Sequence, residues 1–385
     1  MKNIITAILL VVATATFAQN GIRFEEKATW QQVTEKAKKE NKFILVDCYA
    51  SWCGPCKWMV KNIFPLTEVG EKVNPNFVSC AFDMEKGEGL ELAKKFNIKN
   101  YPTYVFLNPN GEIVHRGLGS MPAADFVKLC SDALDPKKQY ITLRNKYISG
   151  DRDLDFLKSF SYVAADAQDS MANEVFASYL NEQKDALSKE NLQMIVDLTR
   201  SVHDAGFPIF SKNKNKFVAL IGEKAYDTNM EELVWNEAKK AGKKGTDPEG
   251  FKKVIQLYLP AKTDLLCAEY EISVLKRNGE WKKYLPKAEK FAEQFCQKDA
   301  ERLNDIANNI LENFSDKLSL QKALKISLQA VTIESTAVTN ATTAEIYTKL
   351  KDKKTAKKYA EKAVEIAKAA GEDTVEYERI LKATN

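Results

Sequence analysis

The sequence predicts a chain of two textures: an α/β region built on a mixed sheet flanked by helices, followed by an all-α region. Three observations carry this. Between residues 25 and 134, short β-branched and aromatic runs alternate with amphipathic stretches in the order α-β-α-β-α-β-β-α, a pattern that buries a sheet between helices. From Pro136 onward glycine is scarce, strand signals vanish, and Ala, Leu, Lys and Glu recur at helical spacing. At 385 residues the chain is too long for one hydrophobic core, so two or three domains are expected.

The first residues, Met1-Lys2-Asn3, are a short basic start to an apolar run over 4–17, and Thr16-Phe17-Ala18 offers small residues where a leader would be cut. The expectation is a signal peptide over 1–18, too short to span ~30 Å of hydrocarbon. Export to a periplasm-like compartment follows, with no membrane span in the mature protein. No Cys follows the cleavage point, so lipid attachment there is not indicated.

The stretch 25–41 predicts a helix with Trp30, Val33 and Ala37 on its apolar face. The run Phe43-Ile44-Leu45-Val46-Asp47-Cys48-Tyr49-Ala50 reads as a buried strand. Trp52-Cys53-Gly54-Pro55-Cys56-Lys57 follows directly, with Gly54 and Pro55 turning the chain into a helix that runs to about residue 64. A short helix over 68–73, a strand over 77–83 and a helix over 88–97 come next. Tyr101-Pro102-Thr103 leads into a strand over 104–107, a turn at Asn108-Pro109-Asn110-Gly111, a strand over 112–116 and a helix over 122–134.

Cys53 is expected at the exposed N-terminus of its helix, where unpaired N–H groups favour a thiolate, and Cys56 one turn further in and shielded. One sulfur attacks and the other resolves, as dithiol exchange requires. Two alternatives stand beside this reading. Half of a zinc site would need a second Cys pair, which does not follow, and His115 and His203 are far from any ligand-like cluster. An inert disulfide is the other. Asp47 breaks an apolar strand six residues before Cys53, and burial should raise its pKa, which suits a proton carrier.

Leu45-Val46-Asp47 with Trp52-Cys53-Gly54-Pro55-Cys56-Lys57, and then Tyr101-Pro102-Thr103, resemble the thioredoxin family over about 24–134, roughly a third of the chain. The resemblance implies a thioredoxin-like fold whose first strand is absent here or confined to Ile22-Arg23-Phe24. It implies that Asp47 assists Cys56 deprotonation, that Pro102 is cis, and that Tyr101 binds a substrate backbone like an added strand. Tyr101 is bulkier than the family's usual residue, Lys61 stands where a kinking proline is usual, and the strand 78–82 lacks the usual Lys near the acid, so Asp47 should titrate higher than in most relatives. Trp52 and Gly119 match positions flanking the substrate groove, as do Gly54 and Pro55 within the motif. Packing alone for Trp52 and a simple turn for Gly119 are the plainer readings.

In the helical region a weak 36-residue repeat opens at Glu280, Asp316 and Asp352, with Tyr284/Leu320/Ala356, Ala288/Leu324/Ala360 and Ala292/Leu328/Val364 in register. It resembles tetratricopeptide-type hairpins; an irregular bundle is the alternative. Gly206-Phe207-Pro208 and the stretch 243–248 read as loops. The net charge of +4, with 57 basic and 53 acidic residues interspersed, marks no nucleic-acid stripe. With two histidines, hydrolytic triads are improbable. Of seven cysteines, Cys48, Cys80 and Cys130 read as buried thiols, while an oxidising compartment permits Cys267 and Cys296 to pair without the sequence requiring it.

The functional expectation is an extracytoplasmic thiol–disulfide oxidoreductase acting on protein or peptide disulfides, with no cofactor beyond the Cys53–Cys56 pair. Gly-Pro between the cysteines resembles reducing members. A reductase in such a compartment needs an outside electron source, and a membrane thiol relay is the expected one. The rivals are a peptide-capturing scaffold and an oxidase or isomerase.

Overall fold

The computed structural model describes residues 21–384; the expected signal peptide lies outside the described residues, as does Asn385. The first helix, α1 (Trp30–Glu40), starts at a capping box in which Thr29 and Gln32 satisfy each other's backbone N–H, and it stops at Asn41, in the left-handed region. It therefore begins later than the sequence expectation, because Lys27 turns the chain at φ +59° first. Val33 and Ala37 are its buried face.

The α/β region continues with β1 (Phe43–Tyr49), α2 (Gly54–Asn62), α3 (Thr67–Val73), β2 (Phe77–Asp83), α4 (Gly89–Lys95), β3 (Thr103–Leu107), β4 (Ile113–Leu118) and α5 (Ala123–Leu134). The sheet order is β2-β1-β3-β4, with β1 parallel to β2 and antiparallel to β3, and β3 antiparallel to β4. The first strand that the resemblance implies is present only as one bridge between Phe24 and Ser79. Alternation along β1 sends Leu45 into a core with Met59, Phe64, Tyr104 and Phe126. It sends Ile44, Val46 and Cys48 into a second core with Val33, Val78, Phe96 and Val105 on the opposite face. By the same period Asp47 shares the face of Leu45, the one packed against α2. No kink is needed in α2, because the helix ends at Asn62 and the chain restarts in α3 after Pro65.

Past α5 the described chain is helical, so the change of texture falls where the sequence places it, but the compact units divide elsewhere. One unit ends at Gly222 and the other runs Glu223–Asn385. The first takes in α6 (Tyr140–Ile148), α7 (Leu154–Asp166), α8 (Ala172–Asn181), α9 (Lys189–Leu198), α10 (Phe207–Lys212) and α11 (Lys214–Ile221). Both α6 and α7 pack on β4, the sheet's edge, which is why the unit extends past residue 135. Gly206-Phe207-Pro208 opens α10 rather than forming a loop, since a proline in a first helical turn removes no hydrogen bond.

The second unit contains α12 (Glu223–Ala241), α13 (Pro248–Tyr258), α14 (Thr263–Arg277), α15 (Trp281–Phe295), α16 (Ala300–Asn313), α17 (Lys317–Ile333), α18 (Ala337–Lys349), α19 (Lys353–Ala370) and α20 (Val375–Ala383). Glu280, Asp316 and Asp352 sit at the N-caps of α15, α17 and α19, so the 36-residue spacing is a spacing of helix starts. Asp316 and Asp352 accept from the N–H groups of Ser319 and Thr355. Tyr284, Ala288, Ala292, Leu320, Ala356, Ala360 and Val364 are buried, as helix-packing positions require. Cys48, Cys80, Cys130, Cys267 and Cys296 are all free thiols, so Cys267 and Cys296 do not pair. No helix of the described residues is long and apolar enough to cross a membrane.

Candidate active site

The site forms where β1 hands over to α2. Ala50 accepts the Cys53 N–H at 3.0 Å, tightening the turn that presents Cys53 as the N-cap of α2. Pro55 lies in the first turn, and the Cys56 N–H points at the Cys53 sulfur, 3.1 Å away. The two cysteines form a disulfide, S–S 2.04 Å. Their burial differs from expectation: Cys53 is only 2% exposed and Cys56 4%, so neither sulfur is the exposed one in this oxidised form. The cause is aromatic cover. Tyr49 and Tyr101 pack against the cluster of Ala50, Cys53 and Cys56.

Trp52, 67% exposed, stands edge-on to Tyr101 with ring centroids 5.9 Å apart. Its indole Nε1 donates to Glu85 Oε2 at 2.8 Å, which fixes the ring over the motif. The Tyr101–Pro102 bond is cis. Gly119 N–H donates to the Pro102 carbonyl at 2.9 Å, tying the end of β4 to this loop. Gly119 has φ +86°, a conformation that favours glycine, and open space where a side chain would stand. Gly54 is exposed and its missing Cβ would meet nothing. The structure thus brings Trp52, Cys53, Gly54, Pro55, Cys56, Tyr101, Pro102 and Gly119 into one neighbourhood.

Asp47 lies behind it. The side chain is 3% exposed, its Oδ1 has no hydrogen-bond partner, and burial pushes its pKa up to about 7. Desolvation is the cause of that shift, and the residue opposite Asp47 in β2 is Ala81 rather than a cation. Asp47 and Cys56 both line a groove of about 940 Å³, together with Lys57, Val60, Phe64 and Ala81. A carboxyl poised near neutrality beside the inner cysteine can take up and return a proton.

Three contributors escaped the sequence reading. Glu85 follows the end of β2, and only the pairing of β1 with β2 brings it under Trp52. Tyr49, at the end of β1, covers the disulfide. Gln168, far along the chain, touches both ends of the Pro102 loop. His115 takes no part in the chemistry: it is buried in β4, its Nδ1 accepts the Tyr140 N–H at 3.0 Å, and desolvation lowers its pKa to about 4. Among the described residues no group of three or more His, Cys, Asp or Glu comes together to hold a metal ion.

A family model for the thioredoxin-like domain matches residues 30–134. Chloroplastic thioredoxin Y of Oryza sativa subsp. japonica is 34% identical over 113 residues, which is 29% of this chain and 64% of that protein. Thioredoxin-1 of Drosophila melanogaster is 37% identical over 90 residues, 23% of this chain and 75% of the fly protein. The solution structure of a candidate disulphide-isomerase from Bacteroides thetaiotaomicron is 39% identical, covering 30% of this chain and 95% of that one with a TM-score of 0.28. This chain thus spans just under two thirds of the rice relative and three quarters of the fly relative, and in both cases the match occupies less than a third of its own length. On the fly relative's identity and coverage, and on the Cys53–Cys56 disulfide at the strand–helix turn, the chain belongs to the thioredoxin family of thiol–disulfide oxidoreductases.

Proposed function

We propose that this protein reduces or exchanges disulfides of protein substrates outside the cytoplasm, where its apolar first residues would direct it. The observation that carries the reading is the pairing of a closed Cys53–Cys56 disulfide with a buried, partnerless carboxyl that lines the same groove as Cys56.

In the dithiol form, the Cys53 thiolate at the N-terminus of α2 attacks one sulfur of a substrate disulfide. A Cys53–substrate disulfide forms, and the other substrate sulfur leaves as a thiolate and takes a proton. Cys56 then gives its proton to the Asp47 carboxylate and attacks Cys53 Sγ. The mixed disulfide breaks, the second substrate sulfur leaves as a thiolate and takes up the proton held by Asp47, and the Cys53–Cys56 disulfide remains. Two electrons have passed from the dithiol to the substrate. Pro102 and Tyr101 hold the substrate strand beside the sulfurs, with Trp52, Gly54, Pro55 and Gly119 shaping the surface around them. The oxidised pair must be reduced again by an external dithiol, for which a membrane thiol relay is the fitting source.

The Cys56→Ser variant tests the order of events. It should accumulate a covalent substrate adduct through Cys53, while Cys53→Ser should trap none; adducts through Cys56 would refute the assignment. Equilibration in thiol/disulfide buffers gives the direction. A potential near about −270 mV supports reduction, and one above about −180 mV would make the protein an oxidant or isomerase.

A further inference from the structure

We propose that Gln168 is a positioning residue: the turn after α7 braces the loop that carries Tyr101 and Pro102, so the helices beyond the thioredoxin domain set the affinity for protein substrates. This rests on the exchange reading given above.

Gln168 sits at φ +54°, a conformation few residues adopt without a reason. The turn is held by Gln168 N–H to Ala165 O and Asp169 N–H to Ala164 O, both 2.9 Å. The Gln168 amide spans the Pro102 loop. Its Oε1 accepts from Asn100 Nδ2 and its Nε2 donates to Thr103 Oγ1, each at 3.4 Å. The Thr103 hydroxyl in turn donates to the Asn100 carbonyl at 2.7 Å. These three bonds close a ring, and the residues enclosed between Asn100 and Thr103 are Tyr101 and Pro102.

The brace has its own foundation. Asp169, next to Gln168, accepts from the Tyr140 hydroxyl at 2.5 Å, Arg144 Nε at 3.0 Å and the Met171 N–H at 2.9 Å. The Tyr140 N–H is bonded to His115 in β4. One end of the network is therefore anchored in the sheet and the other grips the substrate loop. At 3.4 Å the two amide bonds are individually weak. What they supply is geometry: a donor and an acceptor at fixed separation, closing the loop from outside. A backbone that must pair with an incoming strand binds more tightly when it is already ordered. Chemistry at Cys53 and Cys56 does not pass through this ring, so affinity should respond and turnover should not.

Gln168→Gly tests this cleanly, because glycine accepts the positive φ and removes only the amide side chain. Three readouts separate positioning from general damage: KM and kcat for reduction of insulin, the rate of the reduced protein with the small disulfide DTNB, and the Cys53–Cys56 potential. The expected result is a KM for insulin raised about three- to tenfold, with kcat, DTNB rate and potential unchanged. Asn100→Ala should raise KM similarly, and the double variant should add little to either single one. An unchanged KM, or equal losses in all three readouts, overturns the brace while leaving the exchange reading standing. Failure of the unaltered protein to reduce both insulin and DTNB would instead remove the exchange reading, and the brace with it.

Discussion

Replacing Asp47 with Asn keeps the size of the buried group and removes its charge. In the folded protein the carboxyl titrates near 7, against an ordinary value of 3.8, because burial penalises the ionised form. Between those two pH values the native state holds a proton that the unfolded chain has released, so the stability of the unaltered protein falls as pH rises and the loss is complete above 7. Three pKa units at ~1.4 kcal/mol each set the full loss at about 4 kcal/mol. Water entering the groove beside Asp47 reduces it, so about 2–4 kcal/mol is the working range. The Asn variant carries no such loss. It should match the unaltered protein near pH 4 and exceed it by that range at pH 8.5. Because the chain folds as more than one unit, the assay must report on the site itself, and native-state hydrogen exchange of the β1 amides in the oxidised protein does so. The same variant should slow release of substrate from the Cys53 mixed disulfide at neutral pH. A stability difference identical at pH 4 and pH 8.5 would refute the account, since it would mean that the ionised carboxyl is not the destabilising species.

His115 predicts the opposite slope. Its folded pKa of about 4 lies below its ordinary 6.5, so the unfolded chain binds the extra proton and stability is lost as pH falls through that window, by about 3 kcal/mol. His115→Gln should flatten the acid side of the same exchange profile, and a profile unaltered by the substitution would show that the imidazole titrates alike in the folded and unfolded chains, against the lowered pKa. Placing a cation opposite the acid with Ala81→Lys should lower the Asp47 pKa by about one unit or more, moving the pH profile of mixed-disulfide resolution downward. A profile that does not move would mean that the ammonium turns away into solvent.

What could be seen in the sequence was chemistry confined to a few neighbouring residues. The strand-turn-helix around Cys53 and Cys56 was legible because the apolar run, the Gly-Pro turn and the paired sulfurs lie within one short stretch. Asp47 was legible as an interruption of that run, and the absence of a Lys across from it was visible in 78–82. The helix starts at Glu280, Asp316 and Asp352 were legible as the openings of a 36-residue repeat, and at Asp316 and Asp352 the side chain accepts an N–H of the helix's own first turn. The burial of Cys53 was not, because it depends on Tyr101 approaching from the far side of the fold. Nor was the Gln168 contact, which joins residues 65 and 68 positions apart through a turn whose conformation no local signal announces. The limit of the first compact unit at Gly222 depends on α6 and α7 settling on an edge strand, a choice made by tertiary packing rather than by helix propensity.

The hydrogen bond from Tyr140 to His115 bears on how the thioredoxin domain can be dissected. The match to the family model ends at Leu134, yet part of the cover of β4, from α6 and α7, comes from residues beyond it. A fragment cut at the homology limit would expose the imidazole to water, leave the edge of the sheet open to strand addition by another copy, and release the loop beside the disulfide. The portable piece of this protein is therefore longer than the stretch it shares with its relatives, and must reach at least Asp169 to carry its own lining.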